Sequence, residues 1–138
     1  MSNLLTGVQP ALRDFLTQQS SALAGDLAFK CTPATITRAA TAALWTRTVV
    51  VTLETAAGAL HDWYNATVTT GVSIADTSTA GTASIPSTTL TFVNGKATVV
   101  VAGDAAAWLA TETDTLTVTS KVIMGYTIAA KTSVQTFT

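Results

Sequence analysis

The segment from Leu90 to Val101, LTFVNGKATVVV, constrains the fold of this chain more than any other. A two-residue type I′ turn needs positive φ at both central positions, and Asn-Gly adopts that conformation readily. Asn94-Gly95 therefore predicts a tight β-hairpin in which Val93 lies opposite Lys96. The same register pairs two sets of apolar positions on one face: Phe92 with Ala97, and Leu90 with Val99. Because turn chemistry and apolar alternation agree, we predict an antiparallel β protein.

Composition indicates one globular domain with a polar but nearly uncharged surface. The chain has 138 residues, enough for a single domain that buries about two thirds of its unfolded surface. Threonine occurs 29 times and alanine 24 times, and threonine suits a pleated, half-exposed surface. The net charge is −1 and no basic stripe is present, so we expect no nucleic-acid partner. Such a surface tends to associate with itself or with partners.

The cysteine content and the lack of long apolar runs indicate the cellular compartment in which the chain folds. Cys31 is the sole cysteine, so no intrachain disulfide can form. No apolar run is long enough for a signal-peptide core or a membrane span. We therefore expect folding in a reducing cytoplasm and no membrane partner. We interpret Cys31 as a small buried hydrophobe, because no cationic neighbour is evident to lower its pKa.

Residues 1–26 differ from the rest and predict an N-terminal arm. Apolar residues recur there near helical spacing, which indicates one short amphipathic helix around residues 10–20. Thr6 could cap its start, Pro10 fits only in its first turn, and Gly25 ends the segment. The helix could pack on its own domain or dock on another chain. In the second case the contact residues are Leu4, Leu5, Val8, Leu12, Phe15 and Leu16.

Residues 27–138 predict a second unit built of strands and turns. Alternation from Trp45 to Glu54 indicates a half-buried strand, and a further strand is predicted from Leu60 to Thr69 with Trp63 as its buried anchor. Asp104 is predicted to cap a single helical turn over residues 105–110. About seven strands result, at the spacing typical of a β-sandwich.

Two units of this region carry a resemblance to a known family. RTVVVTLETAAGALHDW, and LTFVNGKATVVVAGD followed by DTLTVTS, resemble the bacterial Ig-like domains of invasin- and intimin-type adhesins over residues 31–138. The resemblance implies an all-β fold, an Ig-like antiparallel β-sandwich, with Trp63 in the place of the core tryptophan. Adhesin modules form exported arrays, whereas this chain carries one copy without an export signal. A lone domain with an arm is more similar to accessory proteins of tailed bacteriophages, such as capsid decoration (cement) proteins and tail proteins.

The sequence offers little catalytic or metal-binding chemistry. His61 and Asp62 are adjacent in a predicted strand, so they point to opposite faces and do not form an acid–base dyad. No nucleophile elbow is present, and we predict a non-enzymatic protein with His61 exposed. One His and one Cys are too few for zinc. A calcium ion bound between loops is an alternative that no motif spacing supports. Its ligands would be Asp62, Asp76, Asp104 or Asp114.

Aromatic side chains could serve either the core or a binding surface. The candidates for stacking on a sugar or filling a partner's pocket are Trp45, Trp63, Tyr64 and Trp108. Core burial is favoured for each of the four. Tyr64, predicted on the opposite face from Trp63, is the candidate for surface contact.

These observations lead to one functional hypothesis with two alternatives. The first is a structural virion protein, a capsid decoration subunit that folds in the host cytoplasm and binds the capsid surface. Its arm and Tyr64 would contact the major capsid protein and neighbouring copies, with a homotrimer as one arrangement. The second is an Ig-like module that binds carbohydrate or a host surface, and the third is a small hydrolase using His61. No cofactor is expected.

Overall fold

The computed structural model describes residues 27–68 and 71–138, and these residues contain twelve β-strands and no helix. The predicted all-β class is confirmed for them, while the predicted arm and its helix lie outside the described residues. In chain order the strands are β1 (Ala28–Thr32), β2 (Thr35–Arg38), β3 (Trp45–Glu54), β4 (Ala66–Val68), β5 (Val72–Asp76), β6 (Ala83–Ser84), β7 (Leu90–Phe92), β8 (Lys96–Gly103), β9 (Thr113–Val118), β10 (Lys121–Ile123), β11 (Tyr126–Ile128) and β12 (Lys131–Phe137). The number exceeds the predicted seven because five strands have three residues or fewer, too few to show alternation.

Eight strands form two four-stranded sheets. Sheet 1 has the order β1-β3-β8-β6 and sheet 2 the order β2-β12-β9-β5. Every pairing is antiparallel except that of β2 with β12, which is parallel. The chain passes from sheet 1 to sheet 2 between β1 and β2, through the cis peptide bond Thr32–Pro33. Two short pairs complete the all-β, sandwich-like fold: the hairpin of β10 with β11, and β4 with β7, which are distant in the chain.

The core lies between the facing sides of the two sheets. Alternate residues of β3 are buried, as the period of two requires, and β8 and β9 show the same pattern. Trp45 of sheet 1 packs on Phe137 of sheet 2 with ring centroids 5.5 Å apart, and Trp108 stacks on Phe137 at 5.0 Å. Aromatic rings therefore join the two sheets directly near one end of the sandwich.

A buried ion pair also joins the two sheets. Arg47 of β3 donates from Nε to Oδ1 of Asp114 in β9 at 2.8 Å, and its Nη2 donates to the same oxygen. Its Nη1 donates to Ser133 Oγ at 2.8 Å, and Ser133 Oγ donates to the Pro33 carbonyl at 2.6 Å. Gln135 Nε2 donates to the other oxygen of Asp114 at 2.9 Å. One network thus connects both sheets and the crossing between β1 and β2.

The network is stable only because its polar atoms are matched. Moving two charges out of water costs several kcal/mol each, and a buried pair offsets this only with good geometry and further hydrogen bonds. Burial raises the pKa of Asp114, while the hydrogen bonds and charge of Arg47 act in the opposite direction. Removing one partner would leave the other charge buried without compensation.

The predicted Asn94-Gly95 turn is present. Val93 and Lys96 exchange both backbone hydrogen bonds, at 2.8 and 3.1 Å. Asn94 has φ of 50° and Gly95 of 77°, as a type I′ turn requires. The apolar alternates Leu90, Phe92, Ala97 and Val99 are all buried, as predicted.

The predicted pairing beyond this turn is wrong. Phe92 pairs with Ala66 instead of Ala97, and Leu90 pairs with Val68 instead of Val99. The reason is that β8 turns toward β3, with which it forms eight residue pairs, while β7 adds to β4. The hairpin therefore connects two different sheets.

Two further local predictions differ from the structure. The predicted helical turn over residues 105–110 is absent: Trp108 is buried and forms an isolated bridge with Thr41, its N–H donating to the Thr41 carbonyl at 2.7 Å. Asp104 accepts a hydrogen bond from the Thr82 N–H at 3.0 Å instead of capping a helix. The predicted strand from Leu60 to Thr69 is interrupted: among its described residues, Leu60 forms an isolated bridge with Glu54, a turn follows, and β4 is extended.

Gly95 is expected to be the least replaceable turn residue. A Cβ on Gly95 would collide with the His61 carbonyl oxygen, and its φ lies in the left-handed region, which costs about 1–3 kcal/mol for other residues. Gly125 has a φ of 82° but open space around it, so Gly125→Ala carries the backbone cost alone. Urea unfolding should show a clearly larger loss of stability for Gly95→Ala than for Gly125→Ala. Equal losses would show that loop and turn are not packed as described.

Arg47→Met tests the buried network. This variant keeps aliphatic volume but leaves Asp114 without its counter-charge, so we expect a loss of about 3–5 kcal/mol in the free energy of unfolding. Arg38→Met is the control, because the half-buried Arg38 guanidinium bonds Gln135 Oε1 and the Thr46 carbonyl but no carboxylate. Circular dichroism in urea measures both. A loss no larger for Arg47→Met than for the control would contradict the role given to the ion pair.

Candidate contact surface at the arm end of the sandwich

The two ends of the sandwich differ in what they carry. At one end Ala28 pairs with Glu54, and Val118 pairs with Lys131. We call this end of the sandwich the arm end, because Leu27 lies here and follows residue 26 of the predicted arm. Loop 55–65, the Asn94-Gly95 turn and the hairpin 121–128 lie at the same end. The other end, where Trp45 packs on Phe137, is the far end. Residues 1–26, the predicted arm, therefore precede the strand that begins at this end.

Loop 61–65 is fixed against the Asn94-Gly95 turn by hydrogen bonds. The Gly95 N–H donates to the Tyr64 carbonyl at 2.8 Å, and the Asn94 N–H donates to Asn65 Oδ1 at 2.9 Å. The His61 N–H donates to the Leu53 carbonyl at 2.9 Å, which ties the loop to β3. The turn and the loop form one platform, because each satisfies backbone groups of the other.

The structure reverses the predicted roles of the aromatic residues in this loop. Tyr64 was the predicted surface residue, yet it is only 8% exposed and its ring lies 5.0 Å from that of Phe92. Trp63 was the predicted core anchor, yet it is 46% exposed. His61, predicted to be exposed, is buried. Burial also raises the pKa of Tyr64.

The cause of this reversal is a turn where a strand was predicted. The Tyr64 N–H donates back to the His61 carbonyl at 3.2 Å, so residues 61–64 do not alternate between two faces. A sequence signal was available, since Asp62 and Asn65 flank the aromatic pair and both favour turns.

The exposed indole of Trp63 is held in one orientation. Its Nε1 donates to His61 Nδ1 at 3.1 Å. The Trp63 ring meets the rings of His61 and Tyr64 edge to face, at centroid distances of 5.4 and 5.9 Å. His61 is thus a positioning residue that accepts a hydrogen bond at Nδ1. An indole fixed in this way loses little freedom when a partner covers it.

Other exposed apolar side chains and most cations also lie at the arm end. Of the seven large hydrophobic residues exposed in the described ranges, four are here: Trp63, Val93, Val122 and Met124. All four lysines of the chain lie in the half of the sandwich nearest this end: Lys30, Lys96, Lys121 and Lys131. The described carboxylates there are Glu54, 3.8 Å from Lys30, and Asp62. This surface is therefore apolar and net positive.

At the far end the carboxylates accept hydrogen bonds from backbone N–H groups of the same domain. Glu112 accepts hydrogen bonds from the backbone N–H groups of Leu109 at 2.8 Å and Thr79 at 3.0 Å, and these bonds lower its pKa. The ionised form therefore stabilises the fold above the ordinary pKa of glutamate, and the effect is lost as the pH falls through the lowered value. Asp76 accepts a hydrogen bond from the Ala83 N–H at 2.9 Å. These carboxylates act as structural acceptors.

The other sites considered in the sequence do not form a pocket or a metal-ligand cluster among the described residues. Across residues 27–68 and 71–138 there is no surface pocket, and no group of three or more His, Cys, Asp or Glu could hold a metal ion. Cys31 is buried, which raises its pKa and keeps it a thiol. No helix in the described part of the chain has the length and apolar character needed to cross a membrane. The predicted arm contacts lie outside the described residues: Leu4, Leu5, Val8, Leu12, Phe15 and Leu16.

Comparison with known proteins adds no relative. No protein-family model matches the chain, and no curated protein matches it.

Acrylamide quenching of fluorescence tests the assignment of the three tryptophans. Trp45 and Trp108 are buried, so the quenchable emission should come from Trp63. We expect Trp63→Phe to remove most of the quenchable component, and Tyr64→Phe to leave it unchanged. Strong quenching that persists in Trp63→Phe would mean that a buried indole is in fact accessible.

Proposed function

We propose that this chain is a non-enzymatic structural protein, an Ig-like decoration subunit on the capsid of a tailed bacteriophage. Its partners in this proposal are the major capsid protein and neighbouring copies of itself, with a homotrimer as one arrangement. The observation that carries the proposal is the position of Leu27, which the predicted arm directly precedes. Leu27 lies at the end of the sandwich at which exposed apolar side chains and lysines gather, and the described residues form no pocket.

The order of the strands supports the Ig-like part of the proposal. Constant-type Ig domains place strands A, B, E and D in one sheet and C, F and G in the other. If β1, β3, β8 and β6 are read as A, B, E and D, then β5, β9 and β12 take the places of C, F and G. The parallel pairing of β2 with β12 is an addition to that plan. The intersheet disulfide of antibody domains has no counterpart, since Cys31 is the sole cysteine.

Energetics favour binding at many equivalent sites. Burying six apolar arm residues contributes on the order of 10 kcal/mol before the cost of ordering the arm, which removes much of it. On a symmetric shell, contacts between neighbouring copies would add to this modest affinity. Because the net charge of the chain is only −1, long-range electrostatic repulsion between neighbouring copies is weak. Folding in the host cytoplasm before assembly fits a domain without disulfides.

A carbohydrate or host-surface binding module is the second candidate. One observation favours it, the exposed and fixed indole of Trp63, because aromatic faces stack on sugar rings. In this version the contact residue is Trp63 in place of Tyr64 or Trp45, both of which are buried. A glycan array should then retain the protein, and Trp63→Ala should abolish retention.

Deletion of residues 1–26 tests the decoration proposal. Capsids of the encoding phage, purified without this protein, are mixed with the full chain or with residues 27–138. We expect the full chain to bind and the truncated chain to lose most of its binding, because the arm supplies the larger apolar contact. Matching thermal unfolding of both proteins is the control for folding. Undiminished binding of the truncated chain would refute the role of the arm.

A further inference from the structure

We propose that the arm end itself is a contact surface, so that the domain stands end-on upon its partner with Trp63 as the anchor residue. The partner surface would be apolar at its centre and acidic around it, as one face of a shell protein. This inference rests on the proposed function and extends it from the arm to the folded domain.

The reach of the chain between the predicted arm and the sandwich favours docking through the arm end. Ten residues separate Leu16, the last predicted arm contact, from Leu27. Fully extended, ten residues span at most about 35 Å. The ten residues of β3 run the length of the sandwich, about 30 Å. To present the far end to the same partner, the link would have to run straight back along the whole domain. Docking through the arm end requires no such path.

Trp63 has the features of an anchor at the centre of an interface. It is half-exposed, and its orientation is fixed by His61 and by the loop bonded to the Asn94-Gly95 turn. Its only polar atom, Nε1, already donates to His61, so covering the ring leaves no unpaired donor. Tryptophan is enriched among the few residues that carry most of the binding energy in protein interfaces.

The charges of the arm end select the kind of partner. Four lysines face only two described carboxylates there, and one of these, Glu54, pairs with Lys30. Lys121 and Lys131 bracket the exposed hairpin residues Val122 and Met124 in the chain, which combines positive charge with apolar surface. A partner with acidic side chains around an apolar centre complements this pattern. The far end carries the carboxylates Asp76, Asp104 and Glu112, which keep their negative charge when they accept backbone hydrogen bonds, so the opposite orientation would meet an acidic partner with like charge.

Binding of full-length variants to capsids purified without the protein tests this inference. The arm-end variants are Trp63→Ser and the double variant Lys121→Glu/Lys131→Glu. The matched far-end control is Leu44→Ser/Leu109→Ser, which removes two exposed apolar side chains from the other end. Trp63→Phe shows whether the ring suffices, and urea midpoints identify any loss of folding. Vesicles of phosphatidylserine and phosphatidylcholine are a second target.

We expect Trp63→Ser to weaken capsid binding about tenfold or more. The lysine double variant should bind more weakly at low salt and show a reduced dependence on salt, because exposed charges are screened within about 10 Å at 0.1 M. The far-end control should bind like the unaltered chain, and vesicles should not be bound.

Three outcomes would overturn the inference. If the full chain binds and needs its arm, but both arm-end variants bind equally well, the inference fails and the proposed function stands. If the far-end control is the weakened variant, the end-on orientation is wrong. If the protein binds anionic vesicles and not capsids, the proposed function and the inference fail together.

Discussion

The buried ion pair between Arg47 and Asp114 is the interaction on which the rest of the structure depends. It lies where an apolar core would otherwise tolerate small shifts of one sheet against the other, and its hydrogen bonds permit a single relative position. Through Ser133 and the Pro33 carbonyl it also fixes the crossing of the chain between the sheets. That position determines which loops lie together at each end. The arm end and its surface are consequences of this alignment.

Local chemistry made part of the fold predictable. The Asn94-Gly95 turn needs only its own two residues, and β3 shows its buried face through alternation. Arg47 lies on the same face of β3 as Trp45 and Val49, because the three residues occupy alternate positions. The same pattern therefore predicts an inward-facing arginine. Its partner could not be predicted in this way, because Asp114 lies 67 residues away in the other sheet. The pairing of β7 with β4 also depends on distant contacts, which the turn does not encode.

The candidate site was harder to predict, for a specific physical reason. Which of Trp63 and Tyr64 points outward depends on where extended structure begins, and one turn reverses the assignment. That turn is held by contacts with Asn94 and Gly95, about thirty residues later in the chain. The six predicted arm residues lie outside the described structure, so their contacts stay a prediction. The folded domain nevertheless supplies its own candidate anchor, Trp63, at the same end of the sandwich as Leu27.

The two ends of the domain thus differ in their chemistry. The far end carries carboxylates that are hydrogen-bonded to the backbone, and the arm end carries the oriented indole of Trp63 together with the lysines. Electron cryomicroscopy of capsids bound by the full-length protein tests this division most directly. We predict density in which loop 61–65 and the hairpin 121–128 lie against the shell, with the Trp63 side chain covered and the far end toward solvent. A map in which Trp45 and Phe137 lie nearest the shell and Trp63 points outward would contradict it.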